Sequence, residues 1–234
     1  MKRFYKEVSV SARDGGLAVL LDGRPVKTPA QNNLVLPTEA LASAIAAEWR
    51  EQGDEIIATS MPLLRLANTV IDGVCANREE VIGAILRFGE NDLLCYRAHQ
   101  PPELVARQRA GWDPLLDWAA QKHGANMRVA AGLTHVDQPM QALDALRRGL
   151  EGFDVFSLGG LHVIASIAGS TVLALAVADG FITGAKAFEL SRIDEIYQAE
   201  KWGADAEAAA RVTALAHELD KAAELLALVR ERGK

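Results

Sequence analysis

The usual signatures of chemistry are missing from this chain. No GxxxxGK followed by Ser or Thr is present to cradle a triphosphate, and no GxGxxG follows a strand. No GxSxG nucleophile elbow occurs. The five histidines, His99, His123, His135, His162 and His217, are scattered, without HExxH or paired-cysteine spacing for zinc. Cysteine is scarce. Cys75 and Cys95 both lie in apolar surroundings, which predicts buried free thiols and a reducing compartment. No block of one charge sign stands out. Acid and base are mixed throughout 234 residues with a formal net charge of −6, which argues against nucleic acid as a partner. The opening MKRFYKEVSV lacks the apolar run of a signal peptide and the Arg- and Ser-rich pattern of a transit peptide.

Charge is absent altogether from residues 155–178, a run long enough to span a bilayer. Gly159-Gly160 and Gly169-Ser170 interrupt it, and Asp154 and Asp179 flank it without a Lys or Arg anchor. The reading is two short core helices, apolar all round because they are buried all round. Stable membrane insertion is not expected.

What is present divides into a β-rich start and a helical remainder. Val8 and Val10 alternate with polar neighbours, Asp14-Gly15-Gly16 marks a turn, and 17–21 reads as an apolar strand. Asp22-Gly23 then signals a two-residue hairpin, since a type I′ turn needs positive φ at both positions. Short strands are expected at 34–36 and 56–57. Thr38 is a plausible N-cap for a helix with Leu41, Ile45 and Trp49 on one face, and Pro62 opens another with Leu63, Ala67, Val70 and Val74 inside. Residues 92–97 fit a strand or a helical turn equally. Pro114 predicts a kink or break in the helix over 103–122. The expected class is α+β: a small β-rich N-terminal domain, 1–58, and a larger, mostly α-helical domain, 59–234.

The most informative stretch is 190–211, LSRIDEIYQAEKWGADAEAAAR. It reads as the end of one helix, a break at Gly203 in the left-handed conformation, and a new helix capped by Asp205. Leu190, Ile193, Ile196 and Tyr197 share a face of the first helix, and Glu200 falls on that face too. A carboxylate in an apolar stripe is either paired inside the fold or aimed at something that docks there.

The blocks RFYKEVSV, LDGRPVKTP, MPLLRLANT, DLLCYRA, WDPLLDWA and SRIDEIYQAEKWGAD resemble, in order and over nearly the whole chain, those of the ATP12 family. The resemblance implies an assembly chaperone rather than an enzyme, with no cofactor and no metal. The implied partner is the free α subunit of F1-ATPase, held against aggregation until β subunits replace the chaperone. It implies a monomer in a bacterial cytoplasm, with eukaryotic relatives in the mitochondrial matrix. The family's acidic motif maps onto Asp194, Glu195 and Glu200, which become the expected partner-binding residues, with Glu200 first. Internal pairing of Glu200 with an Arg or Lys remains the structural alternative. Two other readings stay open: a small hydrolase using these carboxylates and His162, and a membrane-associated factor using 155–178.

Replacing Gly23 tests the hairpin. Gly23→Val is expected to cost about 1–3 kcal/mol, because a β-branched residue resists positive φ. An unchanged melting temperature would exclude this turn type.

Overall fold

The computed structural model describes residues 1–132, 135–203 and 206–230, with the side chains of 206–208 left aside. At the start, β1 (Val8–Arg13) and β2 (Gly16–Leu21) pair antiparallel, Val8 opposite Leu21 and Arg13 opposite Gly16. Asp22 and Gly23 have φ of 49° and 77°, as the type I′ turn requires, and lead into β3 (Arg24–Pro25). The Asp22 carboxylate also accepts the backbone N–H groups of Glu7 and Lys6, which hold its pKa below the ordinary value. The strands expected at 34–36 and 56–57 do not form. Isolated bridges take their place, Leu17 with Leu36 and Lys2 with Glu55. Leu34 and Leu36 are nevertheless fully buried, and Leu36 exchanges both backbone hydrogen bonds with Leu17, so packing and a single bridge hold that segment.

Helix α1 (Glu39–Arg50) begins where Thr38 Oγ1 accepts the N–H of Leu41. Leu41, Ile45 and Trp49 face the core. Trp49 packs edge-on against Tyr5 at 5.5 Å, and the Tyr5 hydroxyl donates to the Trp49 carbonyl at 2.6 Å. Glu48 leaves the same helix to cap the next. Its carboxylate accepts Leu63 N–H at 2.8 Å and Leu64 N–H at 2.9 Å, ending α2 (Pro62–Thr69) at its N-terminus. A single π turn, Val70–Val74, continues α2. Across it passes Gly159, where a Cβ would collide with Val70 Cγ2. Asp72 in the π turn binds back to the β loops, accepting from Thr28 Oγ1 at 2.6 Å and Asn32 Nδ2 at 2.9 Å.

Most of the described remainder is helical: α3 (Arg78–Glu90), α4 (Pro102–His123), α5 (Met140–Glu151), α6 (Val155–Ala168), α7 (Thr171–Ala178), α8 (Gly184–Ser191), α9 (Ile193–Trp202) and α10 (Ala206–Arg230). The chain is therefore α+β, a small N-terminal sheet before a mainly helical body. The uncharged run forms α6 and α7, broken at Gly169 (φ 66°), and every residue of α7 is buried. Among the described residues no helix is long and apolar enough to cross a membrane. Helices α3, α8 and α10 pack around this pair. One hydrophobic cluster runs from Tyr5 to Val229, and Thr38 Oγ1 donates to the Leu228 carbonyl at 2.8 Å.

Three expectations need correction or completion. Cys75 is exposed, because it stands just past the π turn where the chain leaves the core, while Cys95 is buried and its thiol is pushed up to about 12 by burial. Pro114 does not break α4; the helix is continuous through it. Residues 92–97 hold both alternatives in turn: a 3₁₀ turn, Leu93–Cys95, and then β4 (Tyr96–Arg97), parallel to β5 (Ala130–Ala131).

The 3₁₀ turn carries a fully buried acid. Asp92 Oδ1 accepts Leu94 N–H at 3.1 Å, and Oδ2 accepts Val172 N–H at 3.1 Å at the start of α7. Burial outweighs these bonds and raises its pKa from the ordinary 3.8 to about 6. Between those values the folded state holds a proton that the unfolded state has released, so the stability Asp92 contributes falls as pH rises through them. Asp92→Asn removes the titration. The stability of wild type minus variant should therefore be largest below about pH 4 and fall by up to about 3 kcal/mol above about pH 6. Urea unfolding of both chains across this range measures it, and a difference that rises or stays flat contradicts the assignment.

Candidate partner-binding site

The helix expected through residue 202 is two helices. The chain turns at Arg192, between α8 and α9, without a Gly or Pro to announce it. The Arg192 guanidinium reaches the Ile167 carbonyl at 3.0 Å and Glu195 at 3.0 Å, which ties the corner to α6. The shared apolar face is only partly covered. Leu190 and Tyr197 are buried, but Ile196 is 40% exposed. Gly203 ends α9 with positive φ (89°) but an extended ψ of 158°, not the left-handed helical conformation. Asp205, expected to cap the next helix, lies outside the described residues.

Helix α9 lies along α4, and the two are joined by a polar ladder. Arg107 grips Glu200 with both arms, Nη1 to Oε1 at 2.9 Å and Nη2 to Oε2 at 2.8 Å. Lys201 pairs with Glu103 at 3.0 Å, and the Tyr197 hydroxyl donates to the same carboxylate at 3.2 Å. The Arg107 and Lys201 cations both lie 5.3 Å from the Tyr197 ring centre. At the inner end Gln108, fully buried, donates to Asp194 at 2.7 Å and accepts Ala98 N–H at 2.8 Å. Beside it Trp112 Nε1 donates to the Leu190 carbonyl at 2.8 Å.

The three expected acids thus have different surroundings. Asp194 is half-buried and held by Gln108; Glu195 is exposed and paired locally with Arg192. Glu200 is not in an apolar interior. Its side chain is 48% exposed, facing an Arg107 side chain that is 43% exposed. The Arg107 hydrogen bond holds Glu200 below the usual carboxylate range, and Glu200 in turn raises Arg107. Together they stand on the rim of a groove of about 430 Å³ between α4, α8 and α9. Ala110, Gly111, Leu190, Ile193 and Ile196 contribute apolar lining, and Lys186 and Glu189, paired at 2.8 Å, lie on the other rim. Trp202, 78% exposed, projects from the end of α9.

His162 is not part of this arrangement. It lines a separate groove between α2, α3 and α6. Among the described residues no three His, Cys, Asp or Glu side chains are placed to hold a metal ion.

Comparison with known proteins agrees with the blocks read in the sequence. The family model described as ATP12 chaperone protein matches residues 2–120, just over half of the chain. The chain belongs to the ATP12 family. Among solved ATP12 structures, the Atp12 of Paracoccus denitrificans is 42% identical, with a TM-score of 0.95 over 98% of each chain. The Atu1473 protein of Agrobacterium tumefaciens is 43% identical, with a TM-score of 0.91 over 97% of this chain and 85% of that one. The mitochondrial protein atp12 of Schizosaccharomyces pombe is 25% identical over 214 residues, which is 86% of this chain and 74% of the relative. The family-model match ends within α4, ahead of Asp194, Glu195 and Glu200, whereas the structural likeness extends through them. The ATP12 assignment makes the chain a member of an assembly-chaperone family.

Sequence reading placed Lys201 at the edge of the Glu200 face but missed Arg107 and Glu103, the α4 partners of the ladder. The available signal was the spacing of Glu103 and Arg107, one turn apart with opposite charge, which marks a charged helix face but not what faces it.

The ladder's two ends should respond differently to mutation. Gln108→Ala leaves the Ala98 N–H and Asp194 without their partner and is expected to cost about 1–3 kcal/mol. Glu200→Gln, at the solvent end, should move the melting temperature little. Thermal unfolding of both variants checks the contrast; equal losses would mean that the Arg107–Glu200 pair is structural.

Proposed function

We propose that this chain binds the free α subunit of F1-ATPase and keeps it from aggregating until it assembles with β, working as a monomer in the bacterial cytoplasm. Family membership supports the chaperone class. The observation that carries the contact is the Arg107–Glu200 pair on the rim of an apolar groove, with Ile196 and Trp202 exposed beside it. Exposed apolar side chains next to a fixed charge suit reversible cover of an apolar surface. An assembly intermediate must also let go, so its grip has to be weaker than that of the final partner. A site on exposed side chains, with most backbone polar groups already bonded inside the fold, meets that need without unfolding either protein. Asp194 and Glu195 act in this reading as neighbours that hold and charge the start of α9.

Two assays on the same proteins test it: light scattering of the free α subunit with the chaperone present, and thermal unfolding of the chaperone. Charge reversal removes an attraction and adds a repulsion, so Glu200→Lys should abolish protection while melting stays close to wild type, and Glu200→Gln should act more weakly. Loss of protection in step with a lowered melting temperature would leave Glu200 a structural residue.

A further inference from the structure

A second groove, also about 430 Å³, opens between α2, the π turn, α3 and α6. Leu66, Val70, Val81 and Val163 give it an apolar floor. Gly73, within the π turn, leaves the wall open, and a Cβ placed there would meet nothing within 4 Å. π turns recur at functional sites, and this one forms part of the groove itself.

The charges around this groove differ from those around the first. On the α4–α9 side the rim charges close on one another, Arg107 with Glu200 and Lys186 with Glu189. Here Glu80 and Arg87 stand on the rim, both exposed, and among the described residues neither side chain forms an ion pair or hydrogen bond. Seven residues apart on α3, they share a face and are separated by about 10 Å along the axis, two helical turns. His162 faces the groove from α6; burial first, and then the Arg87 charge, lower its pKa. The groove thus carries a cation at its Arg87 end and a carboxylate at its Glu80 end.

A helix carrying an apolar stripe, with a basic residue at one end and an acidic residue two turns away, matches this pattern in both apolar surface and charge order. We propose that the groove between α2, α3 and α6 receives one amphipathic helix of the client, oriented by Glu80 and Arg87. The proposal rests on the reading of the F1 α subunit as client, and it makes this groove a second contact, separate from the Glu200 rim.

The test uses the full chain with purified α subunit. Gly73→Phe fills the groove where the structure leaves room, so thermal unfolding should stay near wild type while at least about tenfold more chaperone is needed for half-maximal protection. The double variant Glu80→Arg, Arg87→Glu inverts the charge order at exposed positions without changing net charge, and should lose protection by a similar factor. Wild-type protein that protects α, with both variants protecting it equally well, overturns the groove assignment alone. Wild-type protein that never holds the α subunit overturns the client reading and this inference with it. A wild-type dimer that Gly73→Phe converts to monomer assigns the groove to a second copy and likewise overturns the proposal.

Discussion

The helical body depends on ending two uncharged helices inside a hydrophobic core. The first N–H groups of α7 have no partner within the helix and no access to water, because Ser170 and Thr171 are fully buried. Two side chains meet the need: Ser170 Oγ accepts Leu173 N–H at 3.0 Å, and Asp92 takes Val172 N–H. Thr171 satisfies its own buried hydroxyl by donating to the Ile85 carbonyl of α3 at 2.7 Å. At the head of α6, Asp154 accepts from Phe156 and Ser157. These bonds let a segment without charge be buried rather than inserted elsewhere, since apolar burial supplies the driving force and satisfied backbone groups keep its cost low. Asp92 also fixes the 3₁₀ turn whose following Arg97 pairs with Asp113 of α4 at 2.8 Å. One short block of sequence therefore positions α3, α4 and α7 together.

What the sequence disclosed follows from how local each cause is. The Asp22-Gly23 turn, the Thr38 cap and the Gly169 break are decided by a few adjacent residues, and each was readable. The corner at Arg192 was not, because tertiary bonds from Arg192 to Ile167 and Glu195 make it rather than any helix-breaking residue. Glu200 does share a face of α9 with Ile193 and Ile196, but that face borders an open groove and is not sealed in the core, and a wheel gives the face without saying what covers it. Glu48 capping α2 and Arg107 holding Glu200 connect separate elements, and composition gives no register between them. Residues 92–97 were ambiguous for another reason, since a short apolar run carries too few positions to define a period.

The α4–α9 seam grades from structure to surface along its length. Gln108 is fully buried, with both ends of its amide bonded to half-buried partners; at Glu200 both partners are half in water. Such a gradient suits a contact site. The inner end fixes where α9 sits, and the outer end keeps a charge pair that can be shared with another protein at little cost to folding. Tyr197 links the two regimes, its ring buried under two cations and its hydroxyl on Glu103.

Helix α10 adds a constraint on timing. It packs most extensively on α6 and also touches α1, α2, α7 and α8, and its Leu228 carbonyl takes the Thr38 hydroxyl from 190 residues upstream. Until the ribosome has delivered residues through Val229, the face of α6 that packs on α10 has no cover, and a nascent chain stalled before that point presents the kind of surface that chaperones and proteases recognise.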